Sequence, residues 1–275
     1  MTIRDEAFAG LPLSCRVIDA HTHIGAYHLS GWHQKYDCVG MEAVLRDNAR
    51  LGIDCMVTIP HQIVDGRMEE ANLISARTTS EYAGQVYAYI AVVPSCGMDA
   101  VRRELQRYAA HPAFLGLKFL PGYYHGALTA PEYQYAMDFA DEMKCPVLCH
   151  VWWKDPKHED IEEAVRRRHG MKFIIAHQGG GEARFTNLAA PIVREYENAY
   201  LELCGSMDNQ YGVEKIVSLV GEDRVIFGTD AINLDPKYEI GKVALSPLSD
   251  DVKKKIFAEN YLRLLADSAM GKIKE

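Results

Sequence analysis

The stretch Val17-Ile18-Asp19-Ala20-His21-Thr22-His23 decides how the rest of the chain is read. Its apolar, β-branched start reads as a strand, and along a strand alternate side chains share a face. His21 and His23 therefore point the same way and can both reach one metal ion. Asp19 lies on that face one step earlier, where a carboxylate can hydrogen-bond a ligand imidazole and fix its tautomer. Two histidines are an incomplete ligand set, and by itself the pattern is equally two histidines that end a strand.

Outward from this stretch, apolar runs recur at Arg16–Ala20, Ile53–Ile59, Val86–Val93, Phe114–Leu120, Pro146–His150, Lys172–His177, Ala199–Leu203 and Arg224–Gly228. Amphipathic stretches of helical length separate them: Met41–Leu51, Glu69–Tyr82, Asp99–Ala109, Pro131–Met143, Glu159–His169, Glu182–Tyr196 and Asn209–Val220, with a closing helix from about Asp250 to Ala266. Strict alternation of strand and helix implies a parallel sheet, and eight such units close into a (β/α)8 TIM barrel. The competing doubly wound sheet lacks its usual signature, since a metal-ligand pattern stands where a glycine-rich phosphate loop would follow the first strand. No linker, low-complexity tract or repeat argues for a second domain. One domain is expected over 1–275.

In such a barrel the chemistry sits at the C-terminal ends of the strands. His150 ends the fifth candidate strand, His177 the sixth, and Asp230 follows the eighth. With His21 and His23 they fall on one rim. Alone, His150 or His177 reads as a core histidine and Asp230 as a helix N-cap ahead of Pro236. Together they offer several nitrogens and one carboxylate, a mixture that suits Zn²⁺ or another divalent first-row ion.

Asp19-Ala20-His21-Thr22-His23, the strand-five and strand-six histidines, His177-Gln178-Gly179-Gly180, Phe227-Gly228-Thr229-Asp230 and the late Glu259-Asn260-Tyr261-Leu262-Arg263-Leu264-Leu265 resemble the amidohydrolase superfamily, and within it the branch often called amidohydrolase 2. The likeness runs from about residue 16 to 266. It implies that His21, His23, His150 and Asp230 bind a single divalent metal, with zinc the first choice. It also implies that Asp230 acts as general base and that His177 is a further ligand or a proton-transfer group. Independently of the likeness, a divalent cation lowers the pKa of its bound water, and an adjacent carboxylate can take the proton.

Lys118 stands near the end of the fourth strand, where two-metal members of that superfamily carry a carboxylated lysine and nuclease-like relatives a glutamate. A contact to a substrate anion or a buried ion pair is the preferred role here, since a lysine ammonium readily pairs with a carboxylate. The loops after the strands should set specificity. Tyr123 and Trp152 are candidate pocket walls for an aromatic or unsaturated ligand, and Arg184 or Lys154 a candidate carboxylate holder. Tyr27, His28, Trp32 and His33 are candidate parts of a flap. Gly179 to Gly181 read as a tight turn beside the site.

The formal net charge of −8 excludes a general nucleic-acid binder, and Arg166-Arg167-Arg168 and Lys253-Lys254-Lys255 read as solvated helix ends. Seven cysteines without CxxC spacing suggest reduced thiols and a cytoplasmic setting. No run has the length of a signal core or membrane span, so no membrane partner is expected. A homodimer is an expectation from the resemblance alone.

Two reactions fit the constellation. The first is hydrolysis, with metal-activated water attacking a small carboxylated ester, lactone or amide; the chain's modest length tilts toward it. The alternative is non-oxidative decarboxylation of an unsaturated or aromatic acid on the same metal site. A binding barrel without catalysis is the third and weakest reading, because the ligands and a candidate base are all retained.

Overall fold

The computed structural model describes residues 1–25, 40–124, 127–205 and 210–274. The flap candidates Tyr27, His28, Trp32 and His33 lie outside the described residues. Eight strands follow one another: β1 Ile18–Ile24, β2 Cys55–Pro60, β3 Val86–Val92, β4 Phe114–Phe119, β5 Pro146–Cys149, β6 Lys172–Ile175, β7 Ala199–Glu202 and β8 Val225–Ile226. Each pairs in parallel with the next. Beyond β8 the chain turns back onto β1, where Ala20 N donates to Phe227 O at 3.2 Å and Asp230 N to His21 O at 2.7 Å. The result is the expected (β/α)8 barrel, and its closure delivers Asp230 to the histidines of β1.

Around the sheet lie α1 Ile3–Phe8, α2 Met41–Leu51, α3 Met68–Glu81, α4 Met98–Tyr108, α5 Pro131–Met143, α6 His158–Arg167, α7 Ala183–Glu195, α8 Gly212–Val220, α9 Pro236–Ala244, α10 Asp250–Lys254 and α11 Asn260–Leu265. Sequence periodicity overlooks α1 and α9, which are short and declared by their caps. Thr2 and Asp5 form a reciprocal capping box, and Asp235 accepts from Lys237 N at 2.9 Å with Pro236 at the first helical position. Asp235, not Asp230, is therefore the N-cap ahead of Pro236. Asn260 ties the closing helix to the barrel, donating to Val225 O at 2.8 Å and Glu222 O at 2.7 Å.

Strand alternation divides the core. Val147, Phe173, Leu201 and Val225 pack outward under the helices, while Leu148, Ile174, Tyr200 and Ile226 fill the barrel with Val57 and Tyr89. Tyr261 of α11 plugs the lower end, its hydroxyl 2.7 Å from that of Tyr89. Continuing the inward-facing positions toward the upper rim gives His150, Glu202 and Cys204. β1 departs from this regularity, because its register against β2 slips by one residue between Asp19 and Thr22. The slip brings His21 and His23 inward and takes Asp19 off their face.

Candidate active site

His23 Nδ1 lies 3.1 Å from Ile59 O, so that nitrogen carries the proton and Nε2 is an acceptor. Nε2 nevertheless faces Asp230 Oδ1 at 3.2 Å. The same oxygen stands 3.7 Å from His21 Nε2, whose Nδ1 points to Glu202 Oε2 at 3.3 Å. Three acceptors thus converge within 4.8 Å of one another. Such a triad is repulsive unless a cation or shared protons lie between its members, and these spacings suit bonds of about 2.0–2.2 Å to one first-row ion. The donor set fits a divalent metal.

Neighbouring groups hold this triad in place. Asp230 adopts φ +54°, a strained value of the kind that collects at functional sites, and Asn233 Nδ2 donates to its Oδ1 at 3.1 Å. The Asn233 carbonyl oxygen faces His61 Nε2 at 2.9 Å, and the His61 ring stacks on His23 with centroids 4.8 Å apart. Burial alone would raise the Asp230 pKa, but the close contact with His23 and the nearby histidines hold it well below the usual carboxylate range. Burial pushes His23 down to about 4 against the pull of Asp230, and His177 likewise to about 4.

Beneath the triad lies a second row, in which Glu202, Cys204 and Lys118 are fully enclosed and His177 and His150 reach the cavity above. Glu202 Oε2 accepts from His177 N at 3.0 Å and meets Cys204 Sγ at 3.0 Å, and Oε1 accepts from Cys204 N at 2.6 Å. Cys204 Sγ also lies 3.0 Å from His177 Nδ1, and His177 Nε2 is 2.8 Å from His150 Nδ1. Lys118 Nζ donates to His21 Nε2 at 2.7 Å. Burial opposes ionisation of Glu202, but the His21 contact, the nearby histidines and the Cys204 thiol outweigh it and hold the carboxyl at about 2. No cysteine among the described residues is in a disulfide.

A cavity of about 480 Å³ opens above the triad. Its floor includes His23, His150, His177 and Asp230, its walls Tyr123, Trp152, Val64, Leu120 and Leu234, with Asn233 and Asp155 as further polar groups. Among the described residues no lysine or arginine lines it. The Tyr123 ring meets His150 edge-on at 5.2 Å and Trp152 meets His177 at 5.7 Å. Gly181 is obligatory here, since a Cβ would fall 2.6 Å from the Trp152 ring.

The structure brings together His21, His23 and Asp230, and places His150 against His177 on the same cavity. Tyr123 and Trp152 line the cavity. Three expectations fall. Asp19 touches no imidazole: its carboxylate accepts from Thr229 Oγ1 at 2.5 Å, Thr229 N at 3.0 Å and His21 N at 3.2 Å, because the β1 slip turns it toward the loop after β8. Arg184 is off the cavity, ion-paired with Glu182 at 2.9 Å beside an outer groove that Lys154 shares. Lys118 reaches neither the cavity wall nor a carboxylate, being sealed under His21. Glu202, Cys204, His61 and Asn233 were missed; alternation along β7 already puts Glu202 and Cys204 on the inner face with Tyr200.

A family model described as amidohydrolase matches residues 18–266. No curated protein matches the chain. Among solved structures, 2,6-dihydroxybenzoate decarboxylase from Rhizobium superposes with TM-score 0.69 at 15% identity, covering 91% of this chain and 98% of that one. The 5-carboxyvanillate decarboxylase of Novosphingobium aromaticivorans, complexed with manganese and 4-hydroxy-3-methoxy-5-nitrobenzoic acid, gives 0.73 at 12% identity over 92% and 96%. Dihydroxybenzoic acid decarboxylase from Polaromonas, with manganese and the inhibitor 2-nitroresorcinol, gives 0.71 at 14% over 91% and 97%.

Proposed function

The chain belongs to the amidohydrolase family, and from that premise we propose that it is a metal-dependent, non-oxidative decarboxylase of a hydroxylated aromatic or similarly unsaturated acid. The observation that carries this reading is the make-up of the cavity. Aromatic and aliphatic walls enclose a volume suited to one small ring, and no lysine or arginine among the described residues stands ready for a second anionic group. One carboxylate, turned toward the floor, satisfies such a pocket. Asn233 and Asp155 supply polar contacts for ring hydroxyls. The decarboxylases to which the chain is similar point the same way, and they are matched over 96% or more of their own length, so the chain's size no longer favours hydrolysis.

His21, His23 and Asp230, with His150 beside them, are the residues we assign to the metal, with zinc or manganese as the occupant. A divalent cation held there supplies fixed positive charge for substrate oxygens as the reaction proceeds. Asp230, ionised at neutral pH, takes up a proton from solvent water and delivers it to the ring carbon that bears the carboxylate. The bond to the carboxylate then breaks, its electron pair restores the ring, and CO₂ leaves. His177, neutral and joined to His150 at 2.8 Å, borders the departing group on the cavity floor. Tyr123 and Trp152 hold the ring plane and keep water from the reacting carbon. The same residues around Asp230 would equally serve hydrolysis, which separates from decarboxylation by product.

The test is incubation of the metal-loaded protein in D₂O with mono- and dihydroxybenzoates, carboxyvanillate and a set of lactones and esters. CO₂ release with one deuterium at the vacated ring position is expected. Ring-opened lactones or cleaved esters without CO₂ would overturn the reading in favour of hydrolysis.

A further inference from the structure

We propose that Glu202 and Cys204 are positioning residues that order the ring protons of His21, His177 and His150, leaving each ring's other nitrogen bare. This deepens the metal-centre reading and rests on it for its consequence, while the proton order itself follows from geometry in the protein alone.

The order can be followed atom by atom. Glu202 is fully buried and each of its oxygens already accepts a backbone N–H, Oε2 from His177 N at 3.0 Å and Oε1 from Cys204 N at 2.6 Å, so it meets its remaining partners as an acceptor. Its Oε2 faces His21 Nδ1 at 3.3 Å, which places the ring proton of His21 on Nδ1 and bares Nε2. The same oxygen lies 3.0 Å from Cys204 Sγ, so the thiol proton points to Glu202. With that proton committed, the sulfur can only accept, from His177 Nδ1 at 3.0 Å and, at longer range, from the His21 Nδ1 proton at 3.4 Å that Glu202 already fixes. His177 Nε2 is then an acceptor, and His150 Nδ1, 2.8 Å away, must donate to it. His150 Nε2 is left bare in a residue that lines the cavity.

One carboxylate on β7 thereby sets three rings, one on β1 and one just beyond each of β5 and β6. The cysteine passes the instruction to two of them. Lys118 agrees with the scheme, because its ammonium donates to the His21 nitrogen that the scheme leaves bare. A packing role alone does not require a chain of donors and acceptors that closes without conflict at every contact. The same four ligand atoms, from His21, His177, Glu202 and Cys204, lie within 4.8 Å of one another, yet each is already satisfied by its neighbours without a buried ion.

The experiment uses the full-length chain labelled with ¹⁵N in the histidine rings, chelator-treated and zinc-loaded, with NMR reporting which ring nitrogen bears hydrogen. Glu202→Gln should change the tautomer signature of all three rings and weaken zinc binding, followed by competition with a fluorescent chelator, about 10–100-fold. Cys204→Ala should change His177 and His150 but spare His21, and Cys204→Ser, which keeps one donor and one acceptor, should restore them. Unchanged ring protons in Glu202→Gln, or identical spectra for the serine and alanine variants, would overturn the proposal. If Glu202→Gln does not fold, the Cys204 pair decides alone. Wild-type protein with the stated proton order but no affinity for zinc would uphold the ordering and remove the metal-centre reading.

Discussion

Lys118 Nζ lies 2.7 Å from Nε2 of His21, and both residues are wholly enclosed. Because His21 Nδ1 is turned to Glu202, this contact occupies the nitrogen that would otherwise face a metal together with His23 and Asp230. Burial lowers the lysine pKa, while Asp230, Cys204 and Glu202 favour its charge. The ammonium is therefore a built-in competitor for a cation at the triad.

Replacing Lys118 with methionine keeps the volume and removes the competing donor. A hydrogen bond from a charged group is worth about 1.5–3 kcal/mol, so zinc or manganese should bind roughly 10–100-fold more tightly. Isothermal titration of the chelated protein measures this. Weaker binding in Lys118→Met would mean that the lysine supports the metal instead of opposing it.

Asp230→Asn removes the proposed proton carrier with almost no change in shape. Proton transfer by a placed side chain contributes about 10²–10⁴-fold, and CO₂ release should fall by that range. The amide can still meet Asn233, so circular dichroism and the melting curve should hardly move. Wild-type turnover in this variant would assign the proton to another group.

The barrel was legible because each strand is an apolar run of ordinary length and each connecting helix is amphipathic. The rim residues His21, His23, His150, His177 and Asp230 were legible because strand ends in such a barrel point to one face. Asp19 was misread since a period of two assumes an unbroken register, and the slip in β1 leaves no mark in residue type. Glu202 and Cys204 were overlooked for a different reason. A carboxylate ending one strand and a thiol two residues on carry no motif, and their meaning comes from rings on or just after three other strands. His61 and Asn233 sit in segments after β2 and β8, where sequence separation hides that they meet.

Trp152→Ala should raise KM for hydroxylated aromatic acids several-fold and leave kcat within about threefold. The indole forms wall surface beside His177 and donates no proton to a reacting atom in the proposed scheme. Steady-state kinetics on the best substrate separates the two constants. A collapse of kcat at unchanged KM would place the indole in the chemical step.

Acid should destabilise the metal-free protein from pH 6.5 downward. His23 and His177 are each held neutral to about pH 4, whereas their unfolded-state value is 6.5, so between these limits the unfolded chain binds more protons and stability rises with pH. Each group contributes about 1.4 kcal/mol per pH unit in that window. His21 and His150 are shifted in the same direction. Asp19, raised by burial to about 7, opposes them, because the folded state is the one that holds its proton from 3.8 upward. Glu239, raised by burial to about 8, and Glu104, raised by burial, oppose them likewise, while His111 and His158 are lowered with the other rings; six histidines outweigh three carboxyls, and urea midpoints of chelated protein should fall from pH 6.5 to 4. A flat profile would show that these rings are not buried as neutral groups.

Gly228→Ala probes the inner surface from the side of β8. A Cβ there would fall 2.4 Å from Glu202 Oε1 and 2.7 Å from His21 Cβ, closer than real side chains approach. The backbone at Gly228 is not in the left-handed region, so the cost is one of space alone. Glu202 cannot yield easily, since both oxygens are committed to Cys204, His177 and His21. Overpacking of this kind costs about 1–3 kcal/mol, which calorimetry should register as a lowered Tm. The displaced carboxylate should also loosen the His21 ring, so zinc affinity should drop even at temperatures where the variant is fully folded. Lowered Tm with unchanged zinc affinity would show that Glu202 shifts without carrying His21 along.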